Sequence, residues 1–165
     1  MSSLPQLIEE DIQRLQAILR DLNDKCEADT ALIIDKGGFL ITQHGKVKEF
    51  DLTTISALAS GAYLANQTIA NLVHEENFES VYQQGEKTSM FVLNIDEHCL
   101  LVMIFPADIS VGAVKYFSLA CRGGIADQML LAKERNPKCG LDLSLLNLAD
   151  TSKVFKSDLH SSSSN

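Results

Sequence analysis

Basic residues, metal-ligand spacings and long apolar runs are scarce or missing in this sequence. The 165 residues include 14 Lys and Arg against 22 Asp and Glu, which gives a formal charge of −8 and a sequence pI of about 4.9. Nucleic-acid backbones and anionic membrane surfaces bind clustered Lys and Arg, so this balance disfavours both partners. The sequence has no apolar run as long as a membrane span, and no basic segment precedes an apolar core near its start. We expect a cytoplasmic protein with no nucleic-acid partner and no membrane insertion.

Catalytic and metal-binding signatures are also missing. The four cysteines, Cys26, Cys99, Cys121 and Cys139, form no C-x-x-C pair and have no histidine at zinc spacing, so we expect reduced thiols and no metal. The segment Gly85–Thr88 ends like a phosphate-binding loop but lacks the earlier glycine. No serine or cysteine occupies a nucleophile elbow. These observations predict a protein that is not an enzyme, has no catalytic residue and uses no cofactor.

Hydrophobic periodicity and turn residues predict the secondary structure. Apolar residues at three- and four-residue steps indicate a helix from Leu4 to Cys26, with Pro5 in its first turn. Asp35-Lys36-Gly37-Gly38 separates two β-branched or aromatic runs and is typical of a tight hairpin. The polar segment Glu79–Gln84 suits an edge strand. The run Cys99–Phe105 does not alternate, so we expect a central strand covered on both faces.

The predicted elements follow the order α-β-β-α-β-β-β-α, which indicates an α/β fold of the layered α+β type. Helices must cover both faces of an antiparallel sheet, because the last strand is apolar throughout. We expect one domain over residues 1–135 and a C-terminal tail over residues 136–165, partly disordered because its end is low in complexity. The leucine-rich part of the tail either packs on the domain or docks on a partner, and the sequence favours neither. Its leucines are Leu141, Leu143, Leu145, Leu146 and Leu148.

The second predicted helix, from Asp51 to His74, contains no charged residue after its first position. A helical wheel assigns a core side to Ile55, Leu58, Ala59, Ala62, Ile69 and Val73. Small residues dominate the opposite side, where another backbone can approach closely. We therefore predict a second buried face that requires a partner. The predicted dimer or partner interface is Ala57, Ser60, Gly61, Leu64, Thr68 and Asn71.

The element order, the Asp35–Gly38 hairpin, the Ala- and Gly-rich segment Ser56–Ala62 and the apolar last strand together resemble the Roadblock family. The resemblance covers about Leu7 to Lys133. It implies a five-stranded antiparallel sheet with the second helix on one face and the first and third helices on the other. It also implies dimers in which second helices lie side by side and edge strands join into one longer sheet.

The resemblance implies a function with small GTPases. Family members act with small GTPases or as subunits of motor and signalling complexes, and a bacterial member stimulates GTP hydrolysis without inserting an arginine finger. We expect a homodimeric scaffold and regulator that binds a Ras-like small GTPase and stimulates its GTP hydrolysis, in a process such as cell polarity or motility. Arg122 is then a solvated helix cation rather than an arginine finger.

Three alternatives remain open from the sequence. The small-residue face serves self-association alone, without a GTPase. The chain is a non-catalytic structural adaptor subunit of a larger signalling, motility or motor complex. The layered sheet holds a small ligand, which would require a pocket with convergent polar groups.

Overall fold

The computed structural model describes residues 4–135, which form three helices and five strands in the predicted order. The predicted tail at residues 136–165, with its leucines, lies outside the described residues. The helices are α1 (Glu9–Cys26), α2 (Leu52–Leu72) and α3 (Val111–Arg135). The strands are β1 (Thr30–Asp35), β2 (Leu40–Gly45), β3 (Ser80–Gln83), β4 (Thr88–Asn94) and β5 (Cys99–Pro106).

The strands form one antiparallel sheet in the order β2-β1-β5-β4-β3. β5 lies at the centre, and every residue from Cys99 to Phe105 is buried. This confirms the prediction that the non-alternating run is covered on both faces. The short polar strand β3 lies at one edge, as predicted, and leaves its outer row of backbone groups available for pairing.

The two faces of the sheet carry separate hydrophobic clusters. On one face, α1 and α3 pack Leu15, Leu19 and Ile125 against the strands. On the other, α2 packs Ala59 and Tyr63 against the sheet. One helix on one face and two on the other is the arrangement that the resemblance implied. Within residues 4–135, no helix combines the length and apolar content required to cross a bilayer.

A buried carboxylate joins the start of α1 to the end of α3. Asp11 is 0% exposed and accepts four hydrogen bonds. The donors are the Ile8 backbone N–H at 2.9 Å, Gln128 Nε2 at 2.7 Å and both terminal nitrogens of Arg135 at 2.9 Å. The hydrogen bonds from Arg135 are the main cause that holds the pKa of Asp11 far below its usual range. Burial acts in the opposite direction but is outweighed.

The first helix begins later than the sequence predicted, at the position marked by the hydrogen bond between Ile8 and Asp11. α1 begins at Glu9 rather than Leu4, so Pro5 precedes the helix. Asp11 lies at the third helical position and accepts from the N–H of Ile8, the residue before the helix, which is the role that a capping-box acid performs. Periodicity alone missed this because Leu4 and Leu7 continue the apolar spacing outside the helix.

Candidate protein interface on α2

The start of α2 is set by a side-chain cap. Asp51 accepts from the backbone N–H of Thr54 at 3.1 Å and from its hydroxyl at 2.7 Å. Both bonds lower the pKa of Asp51, and the bond from the Thr54 hydroxyl has the larger effect. Carboxylates are favoured at this position because they satisfy free N–H groups and interact well with the helix dipole. The predicted start of this helix at Asp51 is therefore confirmed, and Asp51 is its N-cap.

The inner face of α2 differs from the predicted core side. Leu58, Ile69 and Val73 were expected in the core but are 68%, 49% and 59% exposed. Leu52, Tyr63 and four small side chains occupy the inner positions instead. The buried residues of the helix are Leu52, Ser56, Ala59, Ser60, Tyr63 and Ala70. The wheel was based on hydrophobicity alone, and hydrophobicity does not decide which side of this helix faces the sheet.

The β1–β2 hairpin determines how α2 is rotated. Gly38 has a φ of +94°, and a Cβ built there would lie 3.0 Å from the Cα of Ala57. Only glycine combines this backbone conformation with such a close approach. Beside it, the Ser60 hydroxyl donates to the Lys36 carbonyl at 2.5 Å. The side of α2 that carries Ala57 and Ser60 therefore packs against the β1–β2 hairpin.

Lys36 strengthens the same attachment. Its Nζ donates to the Asp96 carbonyl at 2.6 Å and lies 5.8 Å from the centre of the Tyr63 ring. Burial lowers the pKa of this lysine. The Tyr63 hydroxyl in turn hydrogen-bonds to Asn77 Oδ1 at 3.1 Å. α2 is thereby anchored along its length.

The predicted interface residues separate into two groups. Ala57, Gly61, Leu64, Thr68 and Asn71 are exposed on the outer side of α2. Ser60 is only 3% exposed and bonds its own chain, so it does not lie on this surface. The prediction that Ser60 belongs to the interface is therefore wrong, because its hydrogen bond to the β1–β2 hairpin holds it on the inner side of the helix.

Sequence reasoning placed Leu64 on this surface but missed its other large aliphatic residues. The wheel assigned Leu58 and Ile69 to the core because they are hydrophobic, and it assigned Leu72 to neither face. The α2 outer face consists of Ala57, Leu58, Gly61, Leu64, Thr68, Ile69, Asn71 and Leu72. It carries no charge along the length of the helix. A contiguous exposed apolar surface of this kind is characteristic of protein interfaces.

The other candidate groups are Arg122 and the cysteines. Arg122 is half-buried and bonds Glu79 Oε1 at 2.5 Å, so its guanidinium is paired within the chain. Burial raises the pKa of Cys26 and Cys121 to about 11, and that of Cys99 still further. Cys139 lies outside the described residues. In residues 4–135, no group of three or more His, Cys, Asp or Glu side chains is arranged to hold a metal ion.

The Roadblock/LC7 domain model matches residues 14–105, more than half of the chain. The chain belongs to the Roadblock/LC7 family. The resemblance seen in the hairpin, the small-residue helix and the apolar strand is thereby confirmed. The match ends near the end of β5, and no curated protein matches the chain by sequence.

Solved structures of MglB share the fold. A structure described as MglB with tetrameric arrangement is 25% identical, with a TM-score of 0.74, and covers 80% of this chain and 99% of that one. The gliding protein MglB from Thermus thermophilus is 26% identical, with a TM-score of 0.72, and covers 78% and 98%. MglB from Myxococcus xanthus is 24% identical, with a TM-score of 0.71, and covers 77% and 96%. The similarity to MglB therefore extends over nearly all of each relative.

Proposed function

We propose that this protein is a homodimeric, cytoplasmic regulator of a Ras-like small GTPase that acts through the α2 outer face. The observation that carries the proposal is an exposed helix face without charge on a Roadblock/LC7 fold. Leaving such a face in water is unfavourable, at roughly 25 cal/mol per Å² of apolar surface. Covering it with protein recovers that free energy.

Dimerisation covers part of this face. Gly61 and Ala57 are small enough for a second α2 to approach at backbone distance, and no heavy atom lies within 4 Å of a Cβ built at Gly61. The edge strand β3 is short and polar, and its outer side can pair with a second β3 in the same operation. These features support the helix and strand contacts that the family resemblance implied.

The paired outer faces then form the platform for the GTPase. Binding there would hold the switch loops so that the GTPase's own groups face the γ-phosphate, and no residue of this chain would be catalytic. The position of Arg122 supports this view. It belongs to α3, on the other side of the sheet from α2, and its guanidinium is paired with Glu79.

The test is GTP hydrolysis by a co-encoded Ras-like GTPase, measured in single turnovers with and without this protein, together with the affinities for the GTP and GDP states. We expect acceleration and tighter binding to the GTP state. Leu58→Asp should abolish both. Leu130→Asp, which alters an exposed leucine of α3 on the other side of the sheet, is the matched control.

Two results would change the assignment. Binding without acceleration would identify a structural adaptor rather than a GTPase-activating protein. Failure to bind either nucleotide state would overturn the proposal.

A further inference from the structure

Lys36, in the turn between β1 and β2, joins three separate parts of the fold. Its backbone N–H donates to the carbonyl of His98 at 2.8 Å, and its Nζ donates to the carbonyl of Asp96 at 2.6 Å, both in the turn between β4 and β5. Its own carbonyl accepts from the Ser60 hydroxyl at 2.5 Å, and its Nζ lies 5.8 Å from the centre of the Tyr63 ring. Two turns at the same end of the sheet are thereby connected to the middle of α2.

The ammonium group of Lys36 makes these contacts in surroundings that disfavour its charge. The side chain is half-buried, and burial lowers its pKa. The nearby charges of Asp96 and Glu97 act in the opposite direction but are outweighed. Because the pKa is lower in the folded protein than in the unfolded chain, the charged form makes the fold less stable at neutral pH, and this effect disappears only in base.

Two other lysines show the usual arrangement. Lys25 and Lys46 are exposed and pair with the carboxylates of Asp21 and Asp29 at 2.6 and 2.9 Å, and these carboxylates raise their pKa. The acceptor of the Lys36 ammonium is instead a neutral backbone carbonyl. An apolar side chain of similar length would cover the Tyr63 ring without the burial of a charge. The charge of Lys36 therefore contributes something other than stability.

What the charge supplies is a contact with a fixed direction. Apolar packing is non-directional, so an apolar side chain at this position would let α2 turn about its axis on the sheet. The ammonium must meet the Asp96 carbonyl while the carbonyl of the same residue meets the Ser60 hydroxyl. Both bonds can form in one rotation of the helix. That rotation places Gly61, the residue after Ser60, on the α2 outer face.

We propose that the Lys36 ammonium is a positioning group that fixes the rotation of α2, and thus the α2 outer face, at the expense of the stability of the domain. Its consequence for partner binding rests on the proposed function. Its effect on α2 is a property of this chain alone. Lys36 acts through α2 and is not a catalytic residue.

The test replaces Lys36 by a residue of similar length without charge. Lys36→Met should leave the urea midpoint of unfolding unchanged or raise it, because a half-buried charge is removed. Hydrogen exchange of the backbone amides of α2 should become at least about tenfold faster, whereas that of α1 should stay the same. The affinity for the GTP-bound GTPase should fall about tenfold.

Two further variants separate the charge from other properties of the side chain. Lys36→Arg keeps a cation that can donate to the Asp96 carbonyl, so it should restore slow exchange in α2 and tight binding of the GTPase. Lys46→Met removes an exposed lysine at the other end of β2 and should leave the urea midpoint, the exchange of α2 and the affinity unchanged.

Three results would overturn the inference. A lower urea midpoint with faster exchange in both α1 and α2, or failure to fold, would mean that Lys36 only stabilises the domain. Unchanged exchange in α2 would mean that its charge does not position the helix. Faster exchange in α2 with undiminished GTPase binding would mean that the partner does not read this rotation.

Failure of the proposed function gives a different result. If the wild type binds no GTPase while Lys36→Met selectively loosens α2 and Lys36→Arg restores it, the positioning role of Lys36 stands and the GTPase assignment fails.

Discussion

α1 and α2 cover opposite faces of one sheet, yet their outer surfaces differ in kind. The exposed side of α1 carries i,i+4 ion pairs, Glu10 with Arg14 and Asp21 with Lys25, each at 2.6 Å. The exposed side of α2 has no charged residue. Both helices pack well on their inner faces, so stability of the domain does not explain the difference. The exterior of α1 suits water, and that of α2 suits another protein.

The largest expected effect is on dimerisation, when a charge is placed on the outer face of α2. Gly61→Arg should raise the dimer dissociation constant about 100-fold or more, equivalent to about 2.7 kcal/mol, because a long cation cannot be buried between two close helices. The space around Gly61 is open in one copy. Replacing glycine inside a helix is favourable by up to about 1 kcal/mol, so the monomer should stay folded.

Gly123→Arg is the matched control for Gly61→Arg. Gly123 also lies in open space, but on α3. Sedimentation of both variants measures the contrast directly. A normal dimer for Gly61→Arg would show that the α2 outer face is not the self-association surface.

The next effect concerns the layer of α1 and α3. Asp11→Ala should lower the free energy of unfolding by about 2–3 kcal/mol, because it removes a helix cap worth about 1 kcal/mol and leaves the donors of Gln128 and Arg135 without their acceptor. Asp21→Ala, in an exposed pair on the same helix, should change it by less than about 0.5 kcal/mol. Urea unfolding followed by circular dichroism decides the matter, and equal effects would contradict the assigned role of Asp11.

The contribution of Asp11 should depend on pH in one direction. Its pKa is lower in the folded protein than in the unfolded chain, where an aspartate titrates near pH ~4. The stabilisation should therefore be complete above about pH 5 and decline as the pH falls toward the lowered pKa. Unfolding of the wild type and Asp11→Ala between about pH 7 and about pH 3 should converge in acid. A difference that stays constant would mean that ionisation of Asp11 does not matter.

A smaller effect should follow from changing the hairpin that orients α2. Gly38→Ala places a Cβ against Ala57 at a positive φ, which costs about 1–2 kcal/mol. Gly37→Ala meets only the side chain of Asp35 and should cost less. Thermal unfolding of both variants provides the comparison. Similar stability of the two variants would indicate that α2 is not oriented by this contact.

The smallest effect is expected at Arg122. Its pair with Glu79 is partly exposed, so Arg122→Ala should change stability by no more than about 1 kcal/mol. Stimulation of GTP hydrolysis should be unchanged, as it should be for Arg14→Ala on α1. A selective loss of stimulation in Arg122→Ala would make this residue an arginine finger and overturn the account of the α2 platform.

The sequence determined the kinds and order of the elements, because those depend on local signals. Alternation and its absence identified β5 as the central strand, and a short polar segment identified β3 as an edge. Asp51 marked the start of α2, and glycines marked the first hairpin. The lack of charge in α2 also predicted, without coordinates, a second buried face on this helix.

Only the tertiary structure decided how α2 is rotated about its axis. Apolar and small residues occur all around this helix, so a wheel cannot distinguish Leu58, which is exposed, from Ala59, which is buried. The choice depends on contacts between residues far apart in the chain, such as Gly38 with Ala57 and Ser60 with Lys36. The Asp11–Arg135 pair is of the same kind. Short-range patterns specify which surfaces are apolar, whereas close packing across the fold specifies which of them remain exposed for a partner.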